Sequence, residues 1–386
     1  MADIAVVGAG TMGAGIAESA ALAGLSAVVL DVREEALARG KDAIERDLER
    51  RVHKGRLSDD ERRNILGRVS MTTSVGDCAD APLVIEAVVE DMGVKRRVFS
   101  ELEHVAGEDT VLATNTSSLS VAGIAASARR PERVVGMHFF NPVPAMRLVE
   151  VVTGPSTDPS VVARAEDISE RLGKTPIRVS DTPGFVVNRV ARPFYLEALR
   201  LVEAGGEPEK IDAAMRGSGF RMGPLELADL IGMDVNLAVS ESLFERYYYQ
   251  PRFRPSPLQR SMVEAGLLGR KSGRGFYDYE AGEQGETGGK EEGMEPSEDV
   301  ALRVISCIVN EAFLTLSEGV ATAGDIDRAM KLGANYPKGP FEWAEEIGAT
   351  NILATLDSLR ASRGEAYIAA PSLRERVGTR TADPTI

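Results

Sequence analysis

The chain holds only three histidines, so the search for a side chain that can take up a proton near neutral pH is short. His53 and His104 fall in polar stretches with helical spacing and read as solvated. His138 is placed differently. It lies at the end of the predicted strand Val134–Phe139, before the turn Asn141-Pro142-Val143-Pro144, and open α/β sheets keep their ligands at the carboxyl ends of strands. Further on, Glu150 interrupts the apolar run Leu148-Val149-Glu150-Val151-Val152. A carboxylate inside an apolar strand is costly unless it is paired. If the two strands are neighbours, a His138–Glu150 hydrogen bond satisfies the acid, fixes the imidazole tautomer and stabilises the cation formed on proton abstraction. The alternative is an exposed edge glutamate and an unrelated core histidine. A third candidate is the hydroxyl-rich end of another predicted strand, Ala113-Thr114-Asn115-Thr116-Ser117-Ser118. There either serine can hold a substrate hydroxyl or simply cap a helix.

Gly8-Ala9-Gly10-Thr11-Met12-Gly13 follows a strand, Ile4–Val7, and opens a helix predicted to run to about Ala23. In that context each glycine has its own task. Gly8 allows a tight turn, Gly10 lets the backbone approach a pyrophosphate, and Gly13 lets the helix pack on the strand, while the helix N-terminus offers free N–H groups. Asp31 ends the next strand, Ala27–Leu30, where a carboxylate can accept both ribose hydroxyls of an adenosine and repels a 2′-phosphate. The pattern predicts NAD as the cofactor, with Arg33 the one neighbour that would favour NADP.

These groups need a frame. Over the first 120 residues, short β-branched runs (IAVVG, AVVLD, LVIEAVV, TVLATN) alternate with longer stretches of helical spacing, which predicts a parallel sheet covered on both faces. At Thr182-Pro183-Gly184 the character changes, and the chain reads as helical almost to its end. The segment AGEQGETGGKEEGMEP (281–296) has hardly an apolar residue and reads as a solvated linker. On either side of it, IDAAMRGSGFRMGPLEL (211–227) and IDRAMKLGANYPKGPFEW (326–343) share Ile-Asp, Ala-Met and Gly-Pro-x-Glu. A helical domain present twice in tandem is expected, giving the organisation 1–182, 183–280, linker 281–296 and 297–386.

Composition narrows the function classes. With 45 basic against 59 acidic residues the net charge is −14, and no basic domain suited to nucleic acid is present. Two cysteines, Cys78 and Cys307, in 386 residues argue against a disulfide scaffold or a cysteine-rich metal site and favour a reducing compartment. No run approaches the roughly 20 apolar residues that span a bilayer, and no charged-then-apolar leader opens the chain, so a cytoplasmic protein without a membrane or metal partner is expected.

GAGTMGAGIA, Asp31, IEAVVED followed by Lys95, ATNTSSLSV, GMHFFNPVPAMRLVEVV, DTPGFVVNR and GRKSGRGFYDY occur in that order over residues 3–280. Together they resemble the L-3-hydroxyacyl-CoA dehydrogenase family, its bacterial 3-hydroxybutyryl-CoA members in particular. The resemblance implies a Rossmann-type α/β domain followed by two tandem all-α domains of the 6-phosphogluconate dehydrogenase C-terminal type. It makes His138 the general base and Glu150 its orienting partner, brings Ser117 to the substrate hydroxyl, sets Asn141 near nicotinamide and substrate, and completes the site with Asn188. Family cofactor contacts fall on Gly8, Gly10, Thr11, Met12, Gly13, Asp31, Glu90, Lys95, Ser117, Asn141 and Lys271. The coenzyme A side falls on Lys54, within the basic stretch Arg50-Arg51-Val52-His53-Lys54-Gly55-Arg56, together with Ser117, Asn141 and Asn188.

The implied reaction is reversible NAD-dependent oxidation of a short-chain L-3-hydroxyacyl-CoA to the 3-oxoacyl-CoA, in butanoate, fatty-acid or aromatic-acid metabolism. The rival readings are a related dehydrogenase for a CoA-free hydroxy acid and a non-catalytic NAD-binding relative. Single-copy members dimerise through the helical domain. The second copy therefore implies either a homodimer or a monomer whose second copy imitates the missing partner, and as that copy lacks TPGFxxNR it is expected to be structural.

Overall fold

The structure is a computed structural model and describes residues 2–279 and 298–381. The stretch expected to form a linker, 281–296, lies outside the described residues. The strands are β1 (Ile4–Val7), β2 (Ala27–Leu30), β3 (Val69–Thr72), β4 (Leu83–Glu86), β5 (Val111–Thr114), β6 (Val134–Phe139), β7 (Leu148–Thr153) and β8 (Thr175–Ser180). They form one sheet in the order β3-β2-β1-β4-β5-β6-β7-β8. β1, β2, β4 and β5 are buried at every position, as strands with helices on both faces must be. The edge strands β3 and β8 are only partly buried, and Pro176 is tolerated in β8 because an edge has no second neighbour to bond.

From β3 across to β6 all pairs are parallel. β7 then runs antiparallel to β6, because the connection 140–147 is too short for the crossover that a parallel neighbour requires. That reversal sets His138 directly opposite Glu150 in the register. The chain changes direction across the sheet between β1 and β4, and the crevice outside their carboxyl ends is where a dinucleotide fits such a fold. Two helices close over it: α1 (Thr11–Leu22), which follows the glycine turn, and α2 (Glu34–His53), which follows β2.

The chain divides into two compact units, Met1–Phe185 and Val186–Ile386. Both helical copies lie in the second unit, where side chains join them. Arg189, fully buried, donates through Nε to Glu311 at 2.7 Å, and Arg303 donates through Nε to Glu197 at 2.9 Å. The arginine precedes the glutamate by the same interval in each copy (189 and 197; 303 and 311), and each arginine reaches the glutamate of the other. That reciprocity is the signature of an isologous interface.

The repeated Gly-Pro-x-Glu has a local explanation as well. Asp212 accepts the amides of Leu225 and Glu226, both at 2.9 Å, and Asp327 accepts that of Phe341 at 2.8 Å. Each aspartate thus caps the helix that Gly-Pro opens. Glycine is required there: a Cβ on Gly223 would lie 2.2 Å from Asp212 Cγ, and one on Gly339 2.1 Å from Asp327 Cγ.

The stretch Val300–Ser317, inside the helix Glu298–Ser317, has the length and hydropathy of a membrane span. Two-thirds of it is buried inside the protein (67%), and it holds Arg303 and Glu311 in the ion pairs just described, so it is a core helix of the second unit. Among the described residues no other helix meets that test.

The ion pairs make a prediction. Glu311→Gln strips the buried one of two acids from a wholly buried guanidinium and is expected to cost about 3 kcal/mol in urea unfolding. Glu318→Gln, which removes the solvent-exposed acid on the same arginine, should cost less than about 1 kcal/mol. Equal losses would remove the buried pair as the element that joins the copies.

Candidate active site

The glycine turn is built as the cofactor geometry requires. Gly8 has φ +106°, and a Cβ on it would lie 2.6 Å from the carbonyl oxygen of Ala87 on the neighbouring β4 connection. A Cβ on Gly13 would sit 1.8 Å from the carbonyl oxygen of Gly8, so α1 can approach β1 only with glycine there. A Cβ on Gly10 would meet no group within 4 Å among the described residues, so the turn faces open space there, which a pyrophosphate can occupy. No side chain caps α1, so the N–H groups at Thr11 and Met12 remain for an anion. Asp31, at the end of β2, accepts the amides of Ala9 and Arg33, each at 3.0 Å. Its carboxylate thereby fixes the turn and faces the crevice where ribose hydroxyls fit. The residues present fit NAD.

A cavity of about 780 Å³ lies between this turn, α2 and the loop Asn141–Ala145. Its wall carries Arg33, Arg39, Arg50, Arg51, Lys54 and Arg56 against Glu18, Asp31 and Asp47, a local excess of cation in an acidic chain. Arg50 and Arg51 are both tied to Asp47, at 2.8 and 2.7 Å. Lys54, the C-cap of α2, stands where a cation also complements the helix dipole. Gly10, Thr11, Asp31, Lys54 and Asn141 are thus brought to one cavity.

At the carboxyl end of β6, His138 Nδ1 and Glu150 Oε2 are 2.6 Å apart, and Glu150 is wholly buried. The edge-strand alternative for Glu150 is excluded, since β7 pairs on both sides. The rings of Phe140 and Phe185 flank His138 at 4.4 and 5.7 Å between centroids. The Phe139 amide donates to Asn115 Oδ1 at 2.9 Å, tying the end of β5 to that of β6. His53 and His104 are exposed, as expected.

Ser117 and Ser118 lie in the turn after β5. The helix cap is Ser120, which accepts the Gly123 amide, so capping does not explain the two serines. Their turn is held instead by Glu90, whose Oε1 accepts the Ser117 and Ser118 amides at 2.9 and 3.1 Å and the Thr116 hydroxyl at 2.6 Å. Burial works against the Glu90 carboxylate, but Lys95 and these donors hold its pKa below the usual value. Lys95 is itself buried, with Nζ 2.7 Å from Glu86 and 3.3 Å from Glu90. Its charge is shared between two carboxylates.

Asn188 and Lys271 belong to the helical unit. Asn188 lies on the short helix Val187–Val190, and Lys271 is ion-paired with Asp234. At the position before Arg303, the counterpart of Asn188 before Arg189, the second copy has Leu302. Sequence reading missed Glu86, although the signal was there: an acid inside LVIEAVV needs a partner for the same reason as Glu150. It also missed Asn115, for which nothing in the sequence speaks.

A family model for the 3-hydroxyacyl-CoA dehydrogenase NAD binding domain matches residues 3–182. That for the C-terminal domain matches residues 184–279 and 300–381, a segment in each helical copy. The chain belongs to the 3-hydroxyacyl-CoA dehydrogenase family, and it is an NAD-dependent oxidoreductase. It is 39% identical to a 3-hydroxyadipyl-CoA dehydrogenase of Escherichia coli, over 97% of each chain. It is 46% identical to a 3-hydroxybutyryl-CoA dehydrogenase of Mycobacterium tuberculosis, over 72% of this chain and 98% of that one. A crystal structure titled as a 3-hydroxybutyryl-CoA dehydrogenase from Escherichia coli superposes with a TM-score of 0.93 at 37% identity and covers 99% of both chains.

Glu18, on the cavity wall, is buried on α1, and burial together with the neighbouring Asp47 pushes its carboxyl up to about 8. It stays protonated at neutrality and donates to the Asp47 carboxylate. Lys174, lowered to about 8 by burial and the nearby Arg51, donates to the carbonyls of Val143 and Met146 behind the same loop. The folded state holds a proton on Glu18 that the unfolded chain loses near 4.5, so stability falls as pH rises between about 4.5 and 8. Glu18→Gln lacks that loss. Its melting temperature should gain on the natural chain by at least about 3 °C between pH 5 and pH 9, and an unchanged gap in thermal melts would refute the shifted carboxyl.

Proposed function

We propose that this 3-hydroxyacyl-CoA dehydrogenase acts on short-chain substrates of the 3-hydroxybutyryl-CoA type, with His138 and Glu150 as the base and its orienting partner. The observation that carries the reading is the 2.6 Å contact between His138 Nδ1 and a wholly buried Glu150. A carboxylate there accepts the Nδ1 proton, which leaves the Nε2 lone pair to take the proton of the 3-hydroxyl. As that proton leaves, the imidazole becomes a cation beside an anion that is already in place and needs no reorganisation. Bound NAD supplies the hydride acceptor. By the family resemblance Ser117 holds the substrate hydroxyl, Asn141 lies near nicotinamide and substrate, Asn188 completes the site, and the cofactor contacts are the glycine turn, Asp31, Glu90, Lys95, Ser117, Asn141 and Lys271. Lys54, with Arg56 near it on the cavity wall, receives phosphate groups of coenzyme A.

The second helical copy takes the place of a dimer partner, which the reciprocal Arg189–Glu311 and Arg303–Glu197 contacts support. A cytoplasmic location is supported by the free thiols of Cys78 and Cys307. A second substrate reading has a specific motive. The 3-hydroxyadipyl-CoA dehydrogenase aligns over the whole length, second copy included, so an acyl chain ending in a carboxylate is the alternative.

His138→Gln should lower turnover of acetoacetyl-CoA by about 10³-fold or more while NADH binding, followed by fluorescence, stays within about twofold. Near-normal turnover would end the assignment. Lys54→Ala should raise KM for acetoacetyl-CoA by about tenfold, the loss of one charge-assisted hydrogen bond, and leave KM for NADH unchanged. Steady-state comparison of acetoacetyl-CoA, 3-oxoadipyl-CoA and CoA-free acetoacetate decides the substrate: preference for the second favours the dicarboxylic reading, and preference for the third rejects a CoA ester.

A further inference from the structure

Glu86 is wholly buried at the end of β4, and no step of the reaction uses it. Both its oxygens are engaged. Oε1 accepts the Val88 amide at 2.8 Å and Lys95 Nζ at 2.7 Å, and Oε2 accepts the Thr114 hydroxyl at 2.7 Å. Lys95 reaches on from there to Glu90 Oε2 at 3.3 Å, and the other oxygen of Glu90 gathers the amides of Ser117 and Ser118. The contacts form a chain: Glu86, Lys95, Glu90, Ser117 turn. The bond of Lys95 to Glu86 is the shorter of its two, so Glu86 is the anchor and Glu90 the adjustable end.

We infer that Glu86 is a positioning residue for the reaction: it holds the Lys95 ammonium at a distance from which Lys95 steadies, without capturing, the Glu90 carboxylate that fixes the backbone of Ser117. Two carboxylates share one ammonium here. Remove the anchor and the buried ammonium has a single counter-ion left, which it draws toward itself. Glu90 Oε1 then leaves the Ser117 and Ser118 amides, and the serine loses the orientation that a near-attack geometry demands. Thr114 loses its acceptor in the same event, which loosens the end of β5 from that of β4. The inference rests on the reading of Ser117 as the residue that holds the substrate hydroxyl.

A double-mutant cycle tests it on the full chain with acetoacetyl-CoA and NADH. Glu86→Gln is expected to lower kcat by about 10- to 100-fold and to leave KM for acetoacetyl-CoA within about threefold. In a Ser117→Ala background the same change should lower kcat by less than about threefold more, since the residue it positions is gone. If each variant lowers kcat and the two losses multiply, Glu86 does not act through Ser117 and the inference falls alone. If Ser117→Ala leaves kcat unchanged, the reading of Ser117 falls and the inference with it. Unaltered kcat in folded Glu86→Gln also overturns it. Should Glu86→Gln fail to fold, Glu86→Asp keeps the charge but withdraws it from Lys95 by one methylene. It is expected to lower kcat several-fold alone and by less than about twofold beside Ser117→Ala, and multiplying losses would overturn the inference again.

Discussion

Glu150 has no contact with solvent and sits in the middle of a strand that is otherwise apolar, and much of the sheet domain is arranged to make that tolerable. A buried carboxylate needs a donor at hydrogen-bond distance, and for Glu150 the neighbouring strand brings one. His138 is that donor because β7 doubles back on β6. A slip of one residue in that pairing would turn Glu150 to the other face, away from the imidazole. The cost of a misplaced acid therefore fixes the register, and the register fixes the orientation of the imidazole.

The same rule organises the neighbouring strand ends. Glu86 at the end of β4 and Glu90 just beyond it share Lys95, and Asp31 at the end of β2 takes the amides of the glycine turn and of Arg33. Carboxylates line the carboxyl edge of the sheet, and each is held by backbone amides, a lysine or an imidazole. Anionic ligands are then left to other groups: the uncapped start of α1 and the arginine-rich end of α2. An acidic protein can bind two nucleotides because its acids near the crevice are already spoken for.

How much of this was legible in the sequence depended on burial. Interior strands such as IAVV and AVVL have to be apolar throughout, and they stood out. The edge strands VSMT and TPIRVS are half solvated and carried no such mark. Glu150 could be read as a residue in need of a partner, yet the same argument applied to Glu86, whose run LVIEAVV was taken only as a strand. The His–Glu pairing was legible as a conditional, because spacing does not reveal which strands are neighbours. The ion pairs of Lys95 with Glu86 and Glu90 are not legible in sequence, because a lysine's neighbours are set by the fold. Arg303 and Glu311 interrupt the apolar stretch near 300–317, and only the other copy shows why they are there.

The two reciprocal arginine–glutamate contacts lie within one polypeptide, and this changes what dilution and mutation can do. An interface between separate subunits weakens as protein concentration falls, whereas one closed within a chain sees a constant effective concentration of its partner. A substitution in a homodimer also appears on both sides of the axis at once. In the duplicated chain each side changes by itself. Leu302 can stand where the first copy keeps Asn188, so one half is free to specialise in holding the other while the contact between them is preserved.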